Sequence, residues 1–161
     1  LPARSPTANA PEGERFSAYC RFFAEELVPF VDGRFPTRRR ADERIAAGDS
    51  LGGTVSLHIA MEYPLLFGNV LSLSGAFLAS TQERIKEKTD LKQLKMFMLV
   101  GRQETAVKTE RGIFDFLRAN REAHALLKEK QAYVRYVEKD GDHLWGFWQN
   151  ELPAALCWFL R

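Results

Sequence analysis

The chain of 161 residues is long enough for one domain with a buried core, and its 45% hydrophobic content is that of an ordinary globular protein. A net charge of +2 gives no reason to expect nucleic acid or a membrane surface as a partner. No apolar run reaches the ~18 residues of a membrane span and no signal peptide is visible, so we expect a cytoplasmic protein. Three histidines and two distant cysteines offer no metal-ligand spacing, and we expect neither a metal nor another cofactor.

The first part of the sequence predicts an unstructured N-terminal segment, followed by an amphipathic helix. Residues 1–13 contain almost nothing large to bury, so we expect a disordered lead or a loop removed from its context. From residue 16 to residue 30, apolar residues recur at spacings of three and four, as on one face of a helix. Cys20 lies in this helix and Cys157 in the last predicted one. We expect both to be buried free thiols, which favours a reducing compartment.

Arginines cluster between this helix and the next predicted strand, which covers residues 43–47. The members of the cluster are Arg34, Arg38, Arg39, Arg40 and Arg44. Such a cluster is typical either of a solvated loop or of an anion-binding site. We favour the solvated loop.

The stretch at residues 47–53 contains Gly-x-Ser-x-Gly, the pattern of a nucleophile elbow, in which a serine lies on a sharp turn from a strand to a helix. The predicted strand precedes it, and apolar residues at 51–61 predict a helix after it. Because the turn strains the backbone, we expect Gly48 and Gly52 to avoid collisions with the adjacent strand and helix. Ser50 is therefore the predicted nucleophile.

Strands and helices alternate after this turn. Residues 69–75, 95–100 and 132–137 predict strands, the first of them apolar enough to be covered on both faces, and residues 81–94 predict a surface helix or excursion. A helix is predicted over 109–131, with its inward face formed by Ile113, Phe116, Leu117, Ala123, Leu126 and Leu127. A last helix is predicted over 145–160, with its inward face formed by Trp148, Leu152, Leu156 and Phe159. This alternation predicts an α/β fold with a mostly parallel sheet and helices on both faces.

Chemistry in an open parallel sheet collects at the carboxyl ends of the strands. His143 follows the fourth predicted strand in a glycine-containing loop, so we expect it to be the base that activates Ser50. His58 and His124 lie inside predicted helices, and we interpret them as structural or solvated residues. Glu104 follows the third strand by four residues, the expected place for the acid that orients the imidazole.

The position of the acid has alternatives, which are Glu110, Asp115, Asp140 and Asp142. The first two are expected on the following helix, which would carry them away from the edge of the sheet. The last two adjoin the predicted base and are typical turn residues. We favour Glu104 and expect its carboxylate within hydrogen-bonding distance of an imidazole nitrogen of His143. The backbone N–H of Leu51 is the predicted oxyanion-hole donor.

The sequence resembles the putative esterase family of α/β-hydrolases, which holds enterochelin-type siderophore esterases, esterase D, feruloyl esterases and mycolyltransferases. The resemblance runs from about residue 16 to the end and is carried by residues 23–32, 47–53, 64–75 and 141–148. In the last segment the usual Gly-Gly-His-Asp-x-x-x-Trp is present with Asp142 and Leu144 substituted. The resemblance implies an α/β-hydrolase fold with Ser50 as nucleophile and His143 as base. Glu104 stands at the acid position, where aspartate is commoner.

Members of this family carry several strands before the elbow, including the loop that donates one oxyanion-hole amide. Only 49 residues precede Ser50 here, and one βαβ unit needs roughly 30 or more. We therefore expect residues 14–161 to be the C-terminal portion of a single α/β-hydrolase domain whose N-terminal strands are missing from this chain. We also expect association with a second copy or with the missing segment.

The leading functional hypothesis is a serine ester hydrolase with a Ser-His-Glu triad that acts on a small-molecule ester. Within the family we favour the siderophore-esterase branch, whose substrate is a trilactone of catechol-bearing units, and the arginines before the elbow are candidates to meet its negative charge. One alternative is a general carboxylesterase or acyltransferase on small esters or thioesters. The other is a catalytically silent binding domain. Labelling by a fluorophosphonate separates an enzyme from a silent domain, and a substrate panel separates the enzymes.

Overall fold

The computed structural model describes residues 13–110 and 112–160. Residues 1–12 of the predicted disordered N-terminal segment therefore lie outside the described residues. The described chain starts with a helical segment made of α1 (Gly13–Arg21), a π-helical stretch (Phe22–Leu27) and α2 (Val28–Arg34). Pro29 does not end the segment and lies directly after the π-helical stretch. Cys20 and Ala24 are buried on its inner side.

Four strands of the described chain form a parallel sheet in the order β1-β2-β3-β6. These strands are β1 (Ile45–Asp49), β2 (Asn69–Leu73), β3 (Lys95–Gly101) and β6 (Tyr133–Lys139). The intervening helices are α3 (Leu51–Glu62), α4 (Ala79–Glu87) and α5 (Phe116–Glu129), and α6 (Trp145–Phe159) follows the last strand. The predicted parallel α/β sheet is confirmed. β1 begins two residues later than predicted, because Ala41–Glu43 forms a 3₁₀ turn before it.

Helices cover both faces of this sheet. Every residue of β2 is buried, as expected for a strand packed on two sides. Because side chains alternate along a strand, Val70 and Met96 pack with residues of α3, α4 and α5 on one face. Leu71 and Phe97 pack on the opposite face, against α6. The two faces therefore have separate hydrophobic clusters.

The predicted helix over 109–131 is wrong at its N-terminal end. A hairpin of β4 (Val107–Thr109) and β5 (Gly112–Phe114) precedes α5. Ile113 lies in this hairpin and is 77% exposed, so it does not belong to the inward face. The helix starts only after Asp115, whose side chain accepts a hydrogen bond from the Arg118 N–H and caps α5.

The last helix also differs from its prediction in two residues. Trp148 and Ala155 are buried against the sheet, and the partly buried residues 152 and 159 pack beside them. These four positions follow one stripe at helical spacing. Leu156 and Cys157 lie outside that stripe, so both are exposed, and the expectations that they are buried were wrong.

Arg38, Arg39 and Arg40 lie in an exposed loop, as the solvated-loop interpretation expects. Arg34 is the last residue of α2, and the side chain of Arg44 is only 10% exposed. Most of the guanidinium groups in the cluster are hydrogen-bonded to nearby acceptors. The pairs are Arg38 with Glu43 at 2.9 Å, Arg40 with Asp42 at 2.6 Å and Arg44 with Asp32 at 2.5 Å. The guanidinium of Arg39 donates to the carbonyl of Asp32 at 3.1 Å.

Neither range of described residues contains a helix long and apolar enough to cross a membrane.

Within the same ranges, β1 forms one edge of the parallel sheet. Large apolar side chains are exposed on the N-terminal helical segment and at the start of α3, namely Tyr19, Phe22, Phe30 and Leu51.

His58 is buried in the core rather than solvated. It lies in α3 and is 1% exposed, with its Nε2 3.2 Å from the hydroxyl of Thr81 in α4. The ring of Phe16 contacts it edge-on, at 4.8 Å between centroids. Burial in this apolar setting, assisted by the positive charge of Arg84, lowers the pKa of His58 from 6.5 to about 4.

This buried imidazole predicts a loss of stability in mild acid. Between pH 6.5 and pH 4 the unfolded chain binds a proton at residue 58 that the folded chain does not, so the free energy of unfolding falls as the pH falls. We expect about 2 to 3 kcal/mol of this loss between pH 7 and pH 4.5 to disappear in His58→Gln. Urea unfolding of both proteins at the two pH values measures it.

His124→Gln is the matched control. His124 is only half-buried on α5, where its ring stacks on Tyr136 at 4.5 Å. Burial also lowers the pKa of His124, but we expect its contribution to be smaller, because solvent reaches this ring. Equal pH dependence in the wild-type protein and His58→Gln would contradict the prediction.

Candidate active site

Ser50 forms the turn between β1 and α3 with backbone angles of φ 49° and ψ −120°. A non-glycine residue seldom adopts a positive φ, and surrounding contacts must hold it there. Its N–H donates to the carbonyl of Leu73 at 2.9 Å, and its own carbonyl accepts from the N–H groups of Ala76 at 3.0 Å and Gly53 at 3.1 Å. The turn is therefore fixed by the end of β2 and by the first turn of α3.

Glycines allow the strand and the helix to approach each other at this turn. A Cβ on Gly48 would overlap the backbone of Gly52, and a Cβ on Gly53 would lie 2.5 Å from the hydroxyl oxygen of Ser72. A Cβ on Gly52 would meet no described atom within 4 Å. The expectation that Gly52 avoids a collision of its own side chain was wrong, because that side chain would point into open space.

His143 lies in the loop between β6 and α6, beside Ser50. Its Nε2 is 3.0 Å from the Ser50 Oγ, and its Nδ1 is 2.6 Å from the Oε2 of Glu104. Aromatic rings contact the imidazole, with centroids 3.9 Å away for Phe116 and 4.7 Å away for Trp148. These contacts leave the histidine side chain only 15% exposed.

The carboxylate of Glu104 is fully buried in the turn that follows β3. Its Oε1 accepts hydrogen bonds from the Ser74 hydroxyl at 2.6 Å and from the Gly101 N–H at 2.7 Å. Its Oε2 faces His143. Because a carboxylate only accepts hydrogen bonds, the imidazole hydrogen lies on Nδ1, and the Nε2 lone pair faces Ser50.

The turn that carries Glu104 and the loop that carries His143 are hydrogen-bonded to each other. The N–H of Arg102 donates to the carbonyl of Lys139 at 2.8 Å, and the N–H of Gln103 donates to the carbonyl of Gly141 at 3.3 Å. Gly141 in turn donates its N–H to the side chain of Gln103. A Cβ on Gly101 would overlap the Gly141 carbonyl, so the two segments pack without side chains between them.

The structure places the alternative acids elsewhere. Glu110 lies in the turn between β4 and β5, and the expectation that it lies on α5 was wrong, because the hairpin separates it from the helix. Asp115 caps α5. Asp140 pairs with the guanidinium of Arg102 at 3.0 Å on the surface, and Asp142 is exposed.

Leu51 is the first residue of α3, and a helix of this kind leaves its first N–H groups without an acceptor inside the helix. This N–H follows Ser50 directly, as the sequence analysis expects of an oxyanion-hole donor. Residues 13–110 and 112–160 contain no group of three or more His, Cys, Asp or Glu side chains that could hold a metal ion.

Sequence reasoning did not identify Ser74, which follows β2 in the same way as Ser50 follows β1. Its hydroxyl accepts a hydrogen bond from the indole N–H of Trp148 at 2.8 Å while it donates to Glu104. The available signal was its place, since it ends a buried strand that lies between the strands of the predicted nucleophile and the predicted acid.

Comparison with known proteins supplies the family. The sequence profile described as “Putative esterase” matches residues 2–159. The chain belongs to this family. It is 44% identical over 147 residues to the uncharacterized protein YjcH of Bacillus subtilis (strain 168), with 91% of this chain and 61% of that protein covered. It is 31% identical over 136 residues to the iron(III) enterobactin esterase of Escherichia coli (strain K12), with 83% of this chain and 31% of that protein covered.

Solved structures share the fold. The enterobactin esterase FES from Shigella flexneri, in the presence of 2,3-dihydroxy-N-benzoyl-glycine, superimposes with a TM-score of 0.77 at 25% identity, over 89% of this chain and 38% of that one. The S-formylglutathione hydrolase of Staphylococcus aureus, at 18% identity and a TM-score of 0.67, is similar in fold alone, over 91% and 66% of the two chains. The predicted α/β-hydrolase fold is confirmed. The chain spans between 31% and 66% of the length of these four proteins.

The glycines of the turn give a matched pair of variants. We expect Gly48→Ala to destabilise the protein severely, because its new Cβ would overlap backbone that cannot move away without breaking the turn. Gly52→Ala should retain or raise the midpoint of thermal unfolding, because its Cβ has space and alanine stabilises a helix by up to about 1 kcal/mol over glycine. Thermal unfolding followed by circular dichroism compares them. The reverse order of stabilities would show that the backbone geometry is misassigned.

Proposed function

We propose that this chain is an ester hydrolase in which Ser50 is the nucleophile, His143 the general base and Glu104 the acid that orients the imidazole. The observation that carries the proposal is the line of hydrogen bonds from the serine hydroxyl through both ring nitrogens to a buried carboxylate. Membership in the putative esterase family supports the same reaction class. In this arrangement a serine becomes a nucleophile at neutral pH, because a neighbouring base accepts its proton.

The first half of the reaction forms an acyl-enzyme. The Oγ of Ser50 attacks the ester carbonyl carbon while its proton moves to the Nε2 of His143. Negative charge develops on the carbonyl oxygen, and the Leu51 N–H stabilises it. The tetrahedral intermediate collapses when the imidazolium returns the proton to the leaving alcohol, which breaks the ester bond.

The second half restores the enzyme. A water molecule gives its proton to the Nε2 of His143 and attacks the acyl carbon, and the released acid leaves Ser50 with its hydroxyl proton regained. Glu104 stays an acceptor of the Nδ1–H throughout. Its charge stabilises the imidazolium and prevents the ring from adopting the other tautomer.

For the substrate we propose a siderophore ester of the enterobactin type, a trilactone of catechol-bearing units. Similarity to the E. coli iron(III) enterobactin esterase and to the Shigella enterobactin esterase supports this choice. Exposed apolar side chains flank the serine and the histidine in sequence, namely Leu51, Leu144 and Trp145, and they suit contact with aromatic rings. The arginines before the elbow supply no support, because most are paired with neighbouring acceptors.

Ser50→Ala and His143→Ala should each lower kcat by about 10⁴-fold or more, and the double variant should lose no more than either alone, because the two residues act as a unit. A fluorophosphonate should label the wild-type protein and leave Ser50→Ala unlabelled. Hydrolysis of p-nitrophenyl acetate and of enterobactin measures activity, and His124→Gln serves as the folded histidine control.

A labelled wild-type protein that hydrolyses simple esters or thioesters but not enterobactin would redirect the substrate assignment to a general carboxylesterase or an acyltransferase. No labelling and no hydrolysis by the folded wild-type protein would instead identify a silent domain, and Ser50→Ala with most of the activity would refute the mechanism.

Glu104→Gln should lower kcat by about 10⁴-fold. If the amide oxygen keeps the two hydrogen bonds from Ser74 and Gly101, the amide NH₂ faces the Nδ1 of His143. The ring hydrogen then moves to Nε2, which can no longer accept the serine proton. Steady-state kinetics with p-nitrophenyl acetate test this expectation.

Asp140→Asn is the control for Glu104→Gln, because it also removes a carboxylate beside the histidine loop but breaks only an exposed pair with Arg102. We expect it to retain activity within about fivefold, since such a pair is worth at most about 1 kcal/mol. An inactive Asp140→Asn together with an active Glu104→Gln would overturn the assignment of the acid.

A further inference from the structure

Ser74 lies where the buried carboxylate needs a donor. It is the first residue after β2 and is fully buried. Its φ of 51° is a positive value that a non-glycine residue seldom adopts, and its N–H donates to the carbonyl of Leu99 in β3 at 2.6 Å. Glycine would adopt this φ without strain. The serine hydroxyl is therefore the feature at this position that glycine could not supply.

The direction of that hydroxyl is set by Trp148. An indole N–H can only donate a hydrogen bond, and here it donates to the Ser74 Oγ at 2.8 Å. This contact occupies a lone pair of the hydroxyl oxygen and leaves the hydroxyl hydrogen for the Oε1 of Glu104, 2.6 Å away. The donor order thus runs from Trp148 through Ser74 to Glu104.

This chain of donors leaves the other carboxylate oxygen for the imidazole. Oε1 accepts from Ser74 and from the Gly101 N–H, so the plane of the carboxylate is fixed by two contacts on one oxygen. Oε2 then faces the Nδ1 of His143. A glutamate side chain has one more rotatable bond than an aspartate side chain. The hydrogen bond from Ser74 therefore restricts a rotation that an aspartate does not have.

Trp148 also contacts the base directly. Its ring packs against the imidazole of His143 nearly at a right angle, with centroids 4.7 Å apart. One side chain of α6 therefore touches the histidine and, through Ser74, orients the acid. A shift of this indole would move both partners of the hydrogen bond between Glu104 and His143.

We propose that Ser74 is a positioning residue for catalysis: its hydroxyl, directed by the Trp148 indole N–H, holds the Glu104 carboxylate in the plane and orientation that fix the His143 tautomer. This inference rests on the proposed serine esterase function. It assigns a role in the reaction to a side chain that does not contact the substrate or the reacting atoms.

Ser74→Ala and Ser74→Gly test the proposal together. Both remove the hydroxyl, but glycine also relieves the strain of the positive φ. We expect kcat for p-nitrophenyl acetate to fall on the order of 10- to 100-fold in both, with KM within about twofold, because a donor to a buried charge is lost. Ser72→Ala should keep the wild-type kcat, since this buried hydroxyl has no hydrogen-bond partner in the described part of the chain.

A double-mutant cycle separates positioning from general packing. Trp148→Phe keeps an aromatic ring beside His143 and removes the N–H, and we expect kcat to fall about 3- to 10-fold in the wild-type background. In the Ser74→Ala background the loss of the N–H should have no further effect, because its acceptor is gone. An equal effect of Trp148→Phe in both backgrounds would overturn the donor chain.

The remaining outcomes also decide the question. Wild-type kcat in folded Ser74→Ala and Ser74→Gly, with Ser50→Ala inactive, would refute the role of Ser74 and leave the proposed function standing. Full activity in Ser74→Gly would also refute the role of the hydroxyl, whatever the kcat of Ser74→Ala, because both variants lack that hydroxyl. An active Ser50→Ala would refute the function itself. If Ser74→Ala does not fold, the strain-relieved Ser74→Gly and the single variant Trp148→Phe carry the test, and wild-type kcat in both refutes the proposal.

Discussion

The burial of the Glu104 carboxylate is the constraint on which the arrangement of the site depends. A fully buried carboxylate must be compensated by hydrogen bonds, because removing a charge from water without partners costs more free energy than the net stability of a domain. The required donors come from three different segments: the Ser74 hydroxyl, the Gly101 N–H and the His143 ring. The same region leaves no room for a side chain at residue 101, since a Cβ there would overlap the Gly141 carbonyl and lie 2.7 Å from the carboxylate oxygen.

The register of the parallel sheet brings these segments together. Asp49 pairs with Leu73 and Leu73 with Leu99, so the carboxyl ends of β1 and β2 are level, while β3 and β6 extend two residues further. The longer strands place the glutamate turn and the histidine loop beside each other, where their backbones hydrogen-bond. The residues that form the site thus follow four adjacent strands, in the order Ser50, Ser74, Glu104 and His143.

Sequence reasoning reached the residues whose chemistry is visible in one segment or at one sheet edge. The serine motif and the strand ends were enough to place Ser50, His143 and Glu104 together. Ser74 was missed because only its place at the end of a buried strand marked it, and its hydrogen-bond partners are 30 and 74 residues away. The open space beside Gly52 was also missed, because the surroundings of a residue are not visible in its own segment of sequence. Periodicity alone also extended α5 through the hairpin, although Asp115 is a standard cap residue.

The backbone at the end of β2 connects Ser50, the proposed nucleophile, to Glu104, the proposed acid. Ser50 donates its N–H to Leu73 and accepts from the N–H of Ala76, while Ser74, between these two residues, donates its hydroxyl to Glu104. Both serines have a positive φ, which persists only where neighbouring contacts fix the backbone. A displacement of residues 73–76 would therefore move the serine turn and the support of the carboxylate together. The separation of Ser50 and Glu104 is consequently set by residues 73–76, at and just after the end of β2, and the imidazole of His143 contacts both side chains.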